Sequence, residues 1–126
     1  MKAKTALTIS AAITAIFATA FALNPEFFTS SAFPEADAYA MRIGVSLRQG
    51  MAGMLLMIAL VLFFTRNVET VKDQRSILLG TALGFTAMCA TIIVLPVIHD
   101  FPLEFPAAVA TGLVAAMCYW TRSKLA

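Results

Sequence analysis

The sequence predicts an all-α fold: an antiparallel four-helix transmembrane bundle with a long second helix. The 126 residues are 60% hydrophobic and 13% charged, whereas a soluble domain is about 45–50% apolar and about 25% charged. The apolar residues fall into four uncharged runs, at 5–25, 49–65, 76–98 and 105–121. Each run is close to the ~17–25 residues that a helix needs to cross a bilayer. We therefore expect one membrane domain over residues 1–126.

The net charge of +2, without a basic stripe, argues against nucleic-acid binding.

The first predicted span covers residues 5–23. Lys2 and Lys4 precede it, and the small-x-small sequence Ala20-Phe21-Ala22 lies near its end. Because a secretory signal peptide has the same pattern, cleavage of residues 1–22 remains an alternative. Small residues recur every four positions and predict a face for close helix approach: Ser10, Thr14, Ala18 and Ala22.

Residues 24–37 are predicted to form an outer connector that lies along the membrane interface, since its three phenylalanines are flanked by acids. Pro25 and Pro34 are expected to break helices. Pro34 and the acids that follow it predict the start of the long second helix, with its span at about 38–65.

A polar stretch at 67–75 predicts an aqueous loop, and the third and fourth spans are predicted at about 76–97 and 105–121. In the third span, Gly80-x-x-x-Gly84 predicts a second close-packing face. The aromatic pair Tyr119 and Trp120 is placed for the membrane interface at the end of the fourth span.

The basic residues predict the orientation. With the N-terminus in the cytoplasm, seven of the nine lie on the inner side: Lys2, Lys4, Arg66, Lys72, Arg75, Arg122 and Lys124. Because positive charge in short loops favours the cytoplasmic side, we expect a multi-pass protein of the inner (plasma) membrane with both termini cytoplasmic.

Several short segments at the helix ends form a pattern: Asn24-Pro25-Glu26-Phe27-Phe28, Arg48-Gln49-Gly50, Arg66-Asn67 and Arg75-Ser76-Ile77-Leu78-Leu79-Gly80. In this pattern the chain resembles small, largely uncharacterised bacterial four-helix membrane proteins, loosely of the DoxX-like kind. The resemblance spans most of residues 5–121. It implies a four-helix bundle, and it implies no activity and no catalytic residues.

Five charged residues are predicted to lie at the outer end of the bundle: Arg42, Arg48, His99, Asp100 and Glu104. Arginine near a bilayer needs a partner or must reach the headgroups, so the two arginines could simply pair with the acids and fix this end. Alternatively, the five residues form a polar mouth that binds a small amphipathic ligand, lipid or quinone-like, with His99 as a switch or general acid. The six-residue spacing sets the arginines ~120° apart, so only one is expected to face the bundle.

No catalytic residue, metal site or cofactor is predicted. Met51, Met54 and Met57 have helical spacing that could hold Cu(I), but methionine commonly fills apolar helices. Neither a nucleophile–base pair nor an acid within a span is present. We therefore expect a non-enzymatic accessory or structural subunit of the membrane, with the alternative of a carrier or membrane enzyme for an amphipathic ligand. A membrane-protein partner or a second copy would bind through the small-residue faces, Gly80 and Gly84 or Ser10, Thr14 and Ala18.

Overall fold

The computed structural model describes residues 1–125 and consists of helices joined by short turns. In chain order the helices are α1 (Ala3–Leu23), α2 (Pro25–Ala32), α3 (Ala38–Thr65), α4 (Val71–His99) and α5 (Phe105–Ser123). Within this range there is no strand, so the all-α prediction is confirmed. Residue 126, the last of the predicted domain, lies outside the described residues.

Three of the helices, α1, α3 and α4, are long and apolar enough to cross a membrane, as expected for a membrane protein. The fourth predicted span corresponds to α5, which does not reach the same apolarity. Its last turns carry the polar or amphipathic residues Tyr119, Trp120, Thr121 and Arg122.

The connector at 24–37 contains a helix that the sequence did not predict. Pro25 ends α1 but also occupies the first turn of α2. A backbone N–H in that turn has no acceptor within the helix, so proline, which lacks this N–H, fits there without loss of a hydrogen bond. The long helix begins at Ala38, close to the predicted start, but Pro34 and the acids after it precede its first turn. The Asp37 Oδ1 accepts from the backbone N–H groups of Tyr39 at 3.0 Å and Ala40 at 2.8 Å, which caps α3.

The predicted loop at 67–75 is too long, because its second half is the first turn of α4. Thr70 precedes this turn, and Asp73 lies within it, where a carboxylate interacts favourably with the helix dipole. The Gln74 amide donates to the Val68 carbonyl at 2.8 Å. The predicted span at 76–97 lies wholly inside α4, whose polar first turn extends beyond the apolar part.

The long helices pack mainly as two pairs, α1 on α3 and α4 on α5, while α1 also contacts α5, α4 and α2. Side-chain contacts join the beginning of one helix to the end of another. Thr8 of α1 accepts from the Arg66 guanidinium, at the end of α3, at 3.3 Å. Ser10 of α1 meets the thiol of Cys118, near the end of α5, at 3.6 Å.

The two predicted close-packing faces have different environments. On α1, Ser10, Thr14 and Ala18 are buried inside the chain. On α4, Gly80 and Gly84 are exposed, and a Cβ added at either would meet no atom within 4 Å. The α1 face is therefore packed against other helices of the chain, whereas the α4 face is exposed.

The short helix α2 packs closely against α3 at Gly44. A Cβ added at Gly44 would overlap the methyl group of Thr29 on α2. Thr29 is buried, and its hydroxyl donates to the Pro25 carbonyl at 2.8 Å. The absent side chain at Gly44 thus sets how near α2 comes to the N-terminal half of α3.

Candidate functional site

Arg48 of α3 forms a two-point ion pair with Glu104, which precedes α5. The Arg48 Nη1 donates to Glu104 Oε2 at 3.1 Å, and Nη2 donates to Oε1. Nη2 also lies 3.4 Å from the Phe28 carbonyl oxygen on α2. The Arg48 side chain is only 9% exposed, while that of Glu104 is 32% exposed. The guanidinium is therefore buried, whereas part of the Glu104 side chain is exposed.

Aromatic rings surround the guanidinium. Its central carbon lies 5.0 Å from the ring centroid of Phe21 on α1, within the range of a cation–π interaction. The rings of Phe21 and Phe28 meet edge to face at 4.8 Å. Arg48 thus joins four parts of the chain: α1, α2, α3 and the turn before α5.

The structure brings together two of the five predicted site residues. Arg48–Glu104 is the single ion pair among residues 1–125. Arg42 is exposed on α3, in agreement with the expectation that only one arginine faces inward. His99 is exposed and stacks on Phe101, with the ring centroids 6.2 Å apart. Asp100 is also exposed and takes a left-handed backbone conformation at φ 54° after α4.

A cavity of about 270 Å3 lies between the four long helices, directly below the ion pair. Each of these helices contributes to its wall, which is almost wholly apolar. Glu104 borders one end of the cavity, while Phe17, Leu55, Phe85 and Met88 are among the residues that line its depth. We refer to it as the inner cavity.

A second cavity of about 270 Å3, the outer cavity, lies between α2 and the turn before α5. Phe27 and Leu103, both exposed, form part of its rim. The two cavities share four lining residues: Phe17, Phe21, Glu104 and Ala107. Both cavities therefore border Glu104 of the ion pair.

A third, wider cavity of about 670 Å3 shares no lining residue with the inner cavity, and it shares Ala32 and Pro102 with the outer cavity. Asp100 and Phe101 border it together with the connector and the first turns of α3. Glu104 and Arg48 do not line it. Asp100 and Glu104 thus border different spaces, and His99 lines none of the three cavities.

The ligand-binding alternative drawn from the sequence requires a pocket beside Arg48 and His99, but neither residue lines the inner, the outer or the wide cavity. The aromatic rings around Arg48 were not predicted. Phe21 and Phe28 lie on opposite sides of Pro25, and nothing in their spacing indicates that both rings approach one arginine. Within the described residues, no group of three His, Cys, Asp or Glu side chains could hold a metal ion. Met54 and Met57 are exposed on α3, and Met51 borders the inner cavity.

No protein-family model, no curated protein and no solved structure gives a significant match to this chain. The resemblance to DoxX-like proteins therefore stays a prediction.

Proposed function

We propose that this chain is a multi-pass protein of the inner membrane that crosses the bilayer four times with both termini in the cytoplasm. The proposal includes α5 as a span. Its 19 residues give a length of ~28 Å at ~1.5 Å per residue, close to the ~30 Å hydrocarbon core. Its packing along α4 supports this arrangement, and its final Tyr119 and Trp120 suit the interface.

Reporter fusions test the topology. Fusions after residues 70 and 126 should both give a cytoplasmic signal, because seven of the nine basic residues then lie inside. A periplasmic signal at either position would contradict it. A mature protein that begins near Leu23 would indicate three spans and a cleaved signal peptide.

Within the membrane, the function that we propose is that of a non-enzymatic accessory or structural subunit. The observation that carries this proposal is the open face of α4. Gly80, Gly84 and Ala87 are exposed on a helix that packs mainly against α5. Small residues at this spacing let a second membrane helix approach closely. The matching face of α1 is already occupied within the chain, so a partner or a second copy would use α4.

Crosslinking in intact membranes tests the subunit role. The wild-type chain should give a crosslinked species larger than the monomer. Gly80→Ile with Gly84→Ile should abolish it, because two branched side chains would hold a partner helix away. Gly53→Ile on α3, where a Cβ also meets open space, is the matched control and should leave crosslinking unchanged. Recovery of monomer alone from the wild type would contradict the proposal.

A second candidate function, binding of a small amphipathic ligand, is favoured by two cavities that both border Glu104. This site differs from the five-residue mouth predicted from sequence, since it uses Arg48 and Glu104 without Arg42, His99 or Asp100. It provides a place for a ligand and suits either a carrier or a membrane enzyme for that ligand.

A further inference from the structure

We propose that the inner and outer cavities form one binding site for an uncharged single-chain amphiphile whose head donates a hydrogen bond, such as a long-chain alcohol. The head would lie against the Glu104 carboxylate, and the chain would fill the inner cavity. This inference rests on the proposed four-span arrangement, and it specifies the ligand class of the second candidate function.

The charges at the site favour an uncharged head. Arg48 is already paired with Glu104 at two points, so no positive charge is left to attract an anion. A phosphate or carboxylate head would face the Glu104 carboxylate. A cationic head would have to lose water beside the Arg48 guanidinium. A charge buried without its own partner is strongly disfavoured, and an uncharged head avoids both problems.

The hydrogen-bonding groups favour a donor rather than an acceptor. Three threonines line the inner cavity, and each donates its hydroxyl hydrogen to a carbonyl in its own helix. Thr14 donates to Ser10 at 2.7 Å, Thr111 to Ala107 at 2.8 Å and Thr91 to Ala87 at 3.0 Å. The Arg48 Nη atoms are directed at Glu104 and the Phe28 carbonyl. The ligand therefore meets acceptors: carboxylate oxygens and hydroxyl lone pairs. A hydroxyl or amide N–H head satisfies them, whereas an ester or ketone head does not.

The shape of the site favours one chain. Each cavity has a volume of about 270 Å3, and together they fall within the ~300–1,000 Å3 of small-molecule sites. The exposed Phe27 and Leu103 at the rim of the outer cavity provide an apolar entrance. The inner cavity, at about 270 Å3, is small, so it suits one unbranched chain better than the two chains of a bilayer lipid.

Photolabelling tests the proposal with the full chain in phosphatidylcholine nanodiscs. The probe is hexadecanol that carries a diazirine in mid-chain, and the matched probe is hexadecanoic acid with the same diazirine. We expect saturable labelling by the alcohol on peptides of α4 that contain Met88, with competition by unlabelled hexadecanol. The acid should label about tenfold less, since its ionised head cannot donate to Glu104 and is repelled by it.

Variants that fill the inner cavity should remove this labelling. Ala110→Phe on α5 and Thr91→Phe on α4 each place a ring in the cavity from a different helix. Ala116→Phe and Thr86→Phe are the matched controls, because both positions are exposed and neither lines the inner cavity. The two helices provide independent variants, so poor folding of one still leaves the other as a test.

A charge variant tests the head preference separately. Glu104→Gln leaves the Arg48 guanidinium without an opposite charge, so labelling by the acid should rise relative to labelling by the alcohol. Equal labelling by both probes in the wild type would overturn the proposal and indicate that lipid chains alone enter the cavity. Absence of saturable labelling would also overturn it. Because fusions report the topology independently, such a result with cytoplasmic signals at both positions would leave the four-span arrangement intact.

Discussion

Arg48 and Glu104 lie 56 positions apart in the sequence, and their side chains form a two-point ion pair at one end of the helices. The guanidinium also contacts the Phe21 ring and the Phe28 carbonyl oxygen. This single side chain therefore ties α1, α2 and the turn before α5 to α3. Since removal of one member of a buried pair leaves the other charge unpaired, the pair should control the stability of this end.

The first prediction concerns the ion pair. Glu104→Ala should lower the free energy of unfolding in detergent by about 3 kcal/mol, because it leaves the buried Arg48 charge without a partner. The double variant Arg48→Met with Glu104→Leu should recover much of this loss, since it removes both charges and keeps apolar volume. Arg42→Ala is the control, and it should change stability by no more than about 0.5 kcal/mol because Arg42 is exposed. Equal losses in the single and double variants would show that the pairing contributes little.

The second prediction concerns the contact between α2 and α3. Gly44→Ala should destabilise the protein by about 1–3 kcal/mol, because its Cβ would overlap the buried Thr29 methyl group. Gly53→Ala on the same helix meets open space and should be neutral or stabilising by up to about 1 kcal/mol, since alanine favours a helix. Thermal unfolding of the two variants in the same detergent measures the difference. A gain of stability in Gly44→Ala would mean that α2 does not lie against Gly44.

The third prediction separates a backbone role from a binding role at Asp100. Its φ of 54° is a conformation that glycine adopts without steric cost. Asp100→Gly should therefore keep or raise stability by up to about 1 kcal/mol, and Asp100→Ala should lower it by a similar amount. Neither change should affect alcohol labelling, because Asp100 does not line the inner or outer cavity. Loss of labelling in the glycine variant would show that the carboxylate participates in binding.

The fourth prediction concerns His99. Its side chain is exposed and stacks on Phe101, and it lines neither of the cavities that border Glu104. His99→Gln should change stability by no more than about 0.5 kcal/mol and leave photolabelling by the alcohol unchanged across ~pH 5–8. A labelling profile that depends on pH in the wild type and not in His99→Gln would restore the histidine switch considered from the sequence.

The all-α class and the ends of α3 could be predicted from sequence because they depend on local signals. The uncharged runs indicate helices of membrane length, and Pro34 with the acids after it indicates a nearby helix start, although Asp37 caps the helix instead of lying in its first turn. The helical spacing of Arg42 and Arg48 also predicts that only one of them can face inward. Which one does so depends on how α3 is rotated against α1 and α2.

That rotation could not be predicted, because it depends on contacts between distant residues. Gly44 lets α2 approach α3, and Phe28 then reaches Arg48. The short helix α2 was not predicted, because a proline such as Pro25 both ends one helix and suits the first turn of the next. The cavities are gaps between side chains of four helices, so no local pattern marks them.

Labelling of introduced cysteines in intact bacterial cells tests the central claim most directly, namely that the helices cross the membrane four times and hold the Arg48–Glu104 pair at the outer face. Ser31→Cys in α2 and Ser123→Cys at the end of α5 both replace exposed residues, while the native Cys118 is buried and Cys89 is half-buried. A membrane-impermeant maleimide should label the cysteine at position 31 from outside and the cysteine at position 123 only after the cells are permeabilised. Labelling at position 123 in intact cells, or none at position 31, would contradict the account.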